Sequence, residues 1–282
     1  MDKVNEIFNE VVADWIGSPP LVYRKLHEAM QNPESTFGDF SNVISSDPSL
    51  AVRLLRIANS PFYGLSSKVE TISHALGVVG IDQLKELALA TILVNRFEGI
   101  EKDLVNMQSF WMHSIGCGLA ARAIAKKMGE HHVESYYTAS MLHDVGSLII
   151  YKEMPDKSRE ILTRCKSEGL PLSTVEDEIL GFTHAEVGAL VFANWGLPDS
   201  LVEAVKYHHR PSEAKDHPLF PTIVHLADII AYEMKLGTGG EPTIPVLDPA
   251  AIRRTTLTRS FLTDIQDNVR NQVDDAVGLF FD

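Results

Sequence analysis

The sequence predicts an all-α fold. Apolar residues recur at three- and four-residue spacing through most of the chain, the period of a helix with one buried face. Strictly alternating runs of β-branched residues, which mark half-buried strands, are almost absent. Glycines and prolines cut the chain into segments of ordinary helix length, at Gly17, Pro19, Pro20, Pro33, Pro48, Pro61, Gly64, Gly80, Gly129, Gly196 and Pro198. With 282 residues, 45% of them apolar, the chain can bury one large core or two modest adjoining ones.

Taken in order, residues 1–98 read as an N-terminal helical lobe of short helices without a cluster of metal-ligating side chains. Within it Asp47-Pro48 opens a helix and Asn59-Ser60-Pro61 closes it. Arg53, Arg56 and Asn59 share one face of that helix, either as a partner or phosphate surface or as a solvated stripe. A division falls near residues 96–102. Residues 99–236 form a second helical lobe holding His113, His143, His184, His208, His209 and His225. Residues 237–249 read as a Gly- and Pro-rich loop, and 249–282 as one or two amphipathic helices, so that 237–282 forms a C-terminal tail packed on the main body. No fixed-period repeat or low-complexity tract interrupts this order.

Composition excludes several function classes. Thirty-eight acids against 25 bases give a formal net charge of −13, a field that repels nucleic-acid phosphate and anionic membrane. The N-terminus lacks the basic start and apolar core of an export signal, so a cytoplasmic location is expected. The apolar stretch 219–232 is broken by Pro221, His225 and Asp228, well short of the roughly 20 residues that span a bilayer. Cys117 and Cys165 are far apart and read as core packing rather than as a disulfide or zinc-cysteine module. There is no glycine-rich phosphate loop of the usual spacing and no Ser/His/Asp nucleophile pattern.

The chemistry concentrates in the second lobe. Residues 136–146 read as one buried helix placing His143 and Asp144 side by side, about 100° apart around its axis, with Gly146 letting another backbone approach closely. Imidazole nitrogen and carboxylate oxygen together suit a divalent cation, although a helix-end histidine satisfied by a local carboxylate gives the same two letters. Thr183 and Glu186 have the spacing of a capping box, which puts His184 in the first turn of the next helix. The helix dipole there disfavours a protonated ring, so a neutral ligand imidazole is expected. A helix from about Pro198 ends in His208-His209-Arg210-Pro211, where the histidines can serve metal or simply complement the dipole. His225 and Asp228 share one face of an apolar helix, and a buried carboxylate needs a partner. His113 lies on another apolar helix, where a satisfied core histidine is the competing reading.

The ordered series His113, His143-Asp144, His184, His208-His209 and Asp228 resembles the ligand order of HD-domain phosphohydrolases, particularly the HD-GYP branch that hydrolyses cyclic di-GMP. The N-terminal half adds Ile-Ser-Ser-Asp-Pro-Ser-Leu at 44–50, Arg-Leu-Leu-Arg-Ile-Ala-Asn-Ser at 53–60 and Ile-Ser-His-Ala-Leu-Gly-Val-Val-Gly at 72–80. Together these resemble the HDOD family, an HD relative found in signalling proteins, over about residues 18–232.

The resemblance implies an HD-like lobe packed with an N-terminal helical lobe, and one or two divalent transition-metal ions, iron or manganese first. It implies one metal held by His113, His143, Asp144 and Asp228, with Asp144 bridging to a second held by His184, His208 and His209. Departures from the HD-GYP pattern weigh against turnover. Arg210-Pro211-Ser212-Glu213 follows the histidine pair in place of Gly-Tyr-Pro, and Ser147 stands where the relatives have lysine; Ser109, in place of a glutamate of relatives with an extra metal, implies at most two ions. The expectation is a signal-transduction module with a protein partner or a nucleotide second messenger, and no direct nucleic-acid or membrane binding. The alternative is a metal-dependent phosphohydrolase acting on a phosphoester or cyclic dinucleotide, with Asp144 and Arg210 catalytic and Arg210 the phosphate clamp.

Overall fold

The computed structural model describes residues 2–16, 20–59, 68–97, 99–255 and 257–281; Gly17, Pro19, Ser60, Pro61 and Gly64 lie outside them. Among the described residues every regular element is helical: α1 (Asp2–Ile16), α2 (Leu21–Gln31), α3 (Phe37–Ser45), α4 (Pro48–Ala58), α5 (Ile72–Val79), α6 (Ile81–Arg96), α7 (Met107–Met128), α8 (Val133–Leu142), α9 (Val145–Glu153), α10 (Pro155–Glu168), α11 (Leu172–Leu180), α12 (His184–Asn194), α13 (Asp199–Tyr207), α14 (Leu219–Glu233), α15 (Pro249–Thr255) and α16 (Arg259–Phe281). A short 3-10 turn covers Pro211–Glu213. The all-α expectation holds. None of these helices is long and apolar enough to cross a membrane.

The chain divides into two compact units, Met1–Gly17 with Phe97–Val273, and Ser18–Arg96 with Asp274–Asp282. In the smaller unit, α4 starts where Asp47 accepts a hydrogen bond from the Leu50 N–H at 3.0 Å. Its end is tied down by Asn59, which pairs with the Val69 backbone through both side-chain atoms at 2.6 and 2.7 Å. Leu26, Ile44, Leu54 and Leu84 are fully buried in this unit.

The larger unit is built on α7. Its N-cap is Asn106, whose side chain accepts from the Ser109 N–H at 3.0 Å, and it ends at Gly129 in the left-handed region, φ 79°. Helices α8 and α14 pack along α7, and Arg122 on α7 pairs with buried Glu134 on α8 at 2.9 Å. Trp111 and Phe110 are fully buried on α7, each worth roughly 1.5–3 kcal/mol or more on burial.

Helix α9 crosses α12 at Gly146 and Gly188. A methyl group on Gly146 would overlap the His184 carbonyl oxygen and lie 2.8 Å from the Gly188 nitrogen, so the close backbone approach expected at Gly146 is real. The single helix expected over 136–146 is instead two. Helix α8 stops at Leu142, His143 is its C-cap, and Asp144 (φ −96°, ψ 7°) is the N-cap of α9. No Gly or Pro stands at the break, and its one local mark is Asp144, a residue type that favours helix starts. Its effect is to put His143 and Asp144 at a corner, with side chains freed from the regular 100° spacing.

Candidate metal centre

Five of the seven expected ligands stand at helix ends. His143 caps α8, Asp144 opens α9, His184 is the first residue of α12, and His208 and His209 follow α13. His113 and Asp228 come from the interiors of α7 and α14. The capping box is formed as expected: the Glu186 N–H donates to Thr183 Oγ1 at 3.4 Å, and the Thr183 N–H to Glu186 Oε2 at 2.8 Å.

The fold brings all seven side chains together in two adjoining groups. His113, His143 and Asp228 form one with Cys117; Asp144, His184, His208 and His209 form the other, and within each group the candidate ligand atoms lie within 4.8 Å of one another. In the first, Asp228 Oδ1 is 3.0 Å from His113 Nε2 and 3.7 Å from His143 Nε2. In the second, Asp144 Oδ1 is 3.4 Å from His184 Nε2 and 3.5 Å from His208 Nε2, while the Nε2 atoms of His184 and His209 are 2.9 Å apart. Asp144 faces both groups, because its other oxygen lies 3.3 Å from His143 Nε2.

Three of the imidazoles are oriented through Nδ1. His143 Nδ1 lies 2.6 Å from the Ser140 carbonyl, His208 Nδ1 2.7 Å from the Val205 carbonyl, and His184 Nδ1 2.6 Å from Glu176 Oε2. Each acceptor fixes the proton on Nδ1 and turns the Nε2 lone pair toward the centre of the cluster. There His143 Nε2, His208 Nε2 and Asp228 Oδ1 are buried without a hydrogen-bond partner. Orphaned polar atoms in two adjoining groups, drawn from imidazole and carboxylate, fit a divalent transition metal.

The electrostatics agree. Burial alone would raise the Asp144 carboxyl, but His143, with His184 and His208 close by, holds it well below the usual carboxylate range. Burial opposes the charge on His143 and His184 as well. Asp144 and Asp228 nevertheless raise His143 to about 10, and Glu176 with Asp144 raises His184 well above the usual histidine value. Burial, with the neighbouring imidazoles, lowers both His208 and His209. In the metal-free chain the carboxylates of Asp144 and Glu176 beside His184 oppose the dipole effect of roughly 0.3–1 kcal/mol that favours its neutral ring.

Sequence reasoning missed two residues here. Glu176, fully buried on α11, accepts from both the backbone N–H and Nδ1 of His184, and only the fold brings it there. Cys117, read as core packing, is buried one helical turn beyond His113 with Sγ 3.4 Å from His113 Nε2; the i, i+4 spacing was the available signal. His225 is a structural link. Its Nδ1 lies 2.8 Å from the His208 carbonyl, and its Nε2 accepts from the Asp248 N–H at 2.9 Å.

The loop 237–249 lies over the centre as a strap. The Thr238 N–H donates to Ser109 Oγ at 3.1 Å, the Tyr151 hydroxyl donates to the Gly239 carbonyl at 2.8 Å, and Glu241 accepts from the Leu172 N–H at 2.9 Å. A Cβ on Gly239 would be 2.9 Å from Asp144 Oδ2, so the strap's backbone rests directly on that carboxylate. Beside it opens a cavity of about 670 Å³ lined by His209, Lys206, Arg210 and Tyr207 and by the acids Asp177, Glu178, Glu186, Glu213 and Glu241. Arg210 is exposed at this rim, 3.4 Å from Glu213.

Known proteins share this architecture. The chain is similar in structure to an HDOD domain protein with unknown function from Geobacter sulfurreducens, at 22% identity and TM-score 0.77, covering 98% of this chain and 99% of that one. It is also similar to a candidate signal transduction protein from Marinobacter aquaeolei VT8, at 24% identity and TM-score 0.74, covering 95% of this chain and 60% of that one. An uncharacterized protein of Treponema pallidum (strain Nichols) is 24% identical over 218 residues, 75% of this chain and 42% of that protein. The chain thus spans less than two thirds of the Marinobacter protein and less than half of the Treponema one. The HDOD domain model matches residues 16–211, which include every ligand candidate except Asp228. With that match over more than half its length, the chain belongs to the HDOD domain family.

Proposed function

We propose that this protein is a regulatory signal-transduction module whose HD-type centre binds one or two divalent transition-metal ions as part of its structure. What supports the metal is the set of imidazoles locked through Nδ1 around the partnerless Nε2 atoms of His143 and His208 and Oδ1 of Asp228. The observation favouring regulation over turnover is the strap. Gly239 rests on Asp144, the one carboxylate that faces both groups, and would restrict access to it from that side. Ligands would be His113, His143, Asp144 and Asp228 for one ion, and Asp144, His184, His208 and His209 for the other. The second, all nitrogen and oxygen, suits iron or manganese. A protein partner or a nucleotide second messenger would supply the signal, in the reducing cytoplasm that two buried free thiols suit.

The cavity favours a second reading, a metal-dependent phosphohydrolase. A bound cation there would supply Lewis-acid polarisation of a phosphoryl oxygen. Lys206 and Arg210 could hold the remaining phosphate charge, but five carboxylates share the same walls and oppose an anionic substrate.

The test is elemental analysis of protein purified without chelator or affinity-metal columns, beside a His143→Ala/Asp144→Ala variant, followed by a screen of phosphoesters and cyclic dinucleotides. One or two equivalents of metal, lost in the variant, with no turnover, is the expected result. Turnover lost in the variant would replace the regulatory reading with the hydrolase, and absence of metal even after reconstitution would sink both.

A further inference from the structure

The two halves of the centre differ in kind. Asp144, His184, His208 and His209 offer nitrogen and oxygen alone, whereas a sulfur stands in the other group. Cys117 lies on the same face of α7 as His113, fully buried, and Sγ points to the atoms that Asp228 and His143 also face. Two of those atoms, His143 Nε2 and Asp228 Oδ1, have no hydrogen-bond partner, so the thiol borders a point that already calls for a ligand.

Three of the donor pairs lie near the spacing of donors around one ion, and all four atoms lie within 4.8 Å of one another. Bond lengths of about 2.0–2.1 Å to nitrogen or oxygen and 2.3 Å to sulfur place tetrahedral donors roughly 3.3–3.6 Å apart. The pairs here are 3.4 Å for Cys117 Sγ and His113 Nε2, 3.0 Å for His113 Nε2 and Asp228 Oδ1, and 3.7 Å for His143 Nε2 and Asp228 Oδ1. A thiol that only filled core space would need none of this. Cys165, the other buried thiol, belongs to neither group.

We propose that Cys117 is a ligand of the subsite formed with His113, His143 and Asp228, so that the centre pairs one sulfur-containing subsite selective for zinc or cobalt(II) with one nitrogen- and oxygen-only subsite. On binding, the thiol proton leaves to solvent or buffer and the thiolate joins the ion. Soft sulfur favours zinc over manganese, which prefers oxygen donors. This assignment rests on the metal-binding reading above.

The experiment is a cobalt(II) titration of the metal-stripped full chain, followed by near-ultraviolet absorbance, in the wild type, Cys117→Ser, Cys117→Ala and Cys165→Ser. A thiolate bound to cobalt(II) gives an intense charge-transfer band that nitrogen and oxygen donors do not. The band is expected in the wild type and in Cys165→Ser with one equivalent of cobalt, and is expected to vanish in both Cys117 variants. Zinc-over-manganese preference at that subsite should fall on the order of tenfold or more in Cys117→Ser. Cobalt bound by the wild type without the band overturns the assignment whatever the variants do, and so does a band that survives in Cys117→Ser. Failure of the wild type to bind cobalt at all would overturn the metal centre itself, a different result.

Discussion

Replacing Gly146 by alanine tests how the helix crossing holds the site. The added methyl meets backbone on the opposite helix, at the His184 carbonyl oxygen and at the Gly188 nitrogen 2.8 Å away, and backbone cannot rotate aside. Ordinary carbon contacts sit near 3.5 Å, so α12 must retreat on the order of 1 Å. His184 is the first residue of α12 and would move with it, away from Asp144 and from Glu176. Overpacking of this kind costs typically 1–3 kcal/mol and more where backbone is struck; about 3 kcal/mol is expected here. For a unit of this size that is a fall of roughly 6–12 °C in Tm. Gly188→Ala is the internal control. Its methyl meets Cγ1 of buried Val205 at 2.9 Å but no backbone atom closer than 3.4 Å, so the loss should be smaller. Thermal unfolding by circular dichroism, run beside metal stoichiometry, reads both effects. A Gly146→Ala protein that melts within about 3 °C of wild type with full metal content would refute the claim that this crossing positions His184.

Glu176→Gln should keep the shape of the His184 contact but remove its charge, weakening the ion at the His184, His208 and His209 subsite by about 10–100-fold in a chelator competition. Glu176→Ala should weaken it further, and equal affinity in all three proteins would show that the contact does not reach the metal. In the metal-stripped chain, burial raises the Glu241 carboxyl to about 7 from 4.5, against the lowering effect of its hydrogen bonds from Leu172 and Thr243. The folded chain then holds that proton more tightly than the unfolded chain, so this contribution to stability falls as pH rises from about 4.5 to 7. The difference in Tm between wild type and Glu241→Gln should therefore change across that window, with the variant gaining relative to wild type toward neutral pH. A constant difference would contradict it.

Much of this architecture was legible because helix ends obey local rules. Asp47 before Pro48, and Thr183 with Glu186, are caps that sequence spacing specifies, and both form. Gly146 was readable as a close approach, though not which helix it would meet. The rest depends on tertiary neighbours that leave no local mark. The break at His143 has only a weak mark, an aspartate of the kind that favours helix starts. Glu176 meets His184 only because α11 folds back, and the loop 237–249, plainly a loop in sequence, reveals nothing there of the carboxylate beneath it.

The histidines themselves explain why the centre was as visible as it was. A helix leaves its last carbonyls without intrahelical donors. His143 and His208 each stand just past such an end and lie three residues from the carbonyl their Nδ1 addresses, Ser140 in α8 and Val205 in α13. One bond thereby caps the helix and fixes the ring with Nε2 outward, so the requirement of the fold and that of a ligand coincide. Where they coincide, a histidine placed at a helix end already states its orientation. His184 lacks that coincidence, being at a helix start where only N–H groups are free. It needs a carboxylate from another helix to accept its Nδ1 proton, and Glu176 is that carboxylate.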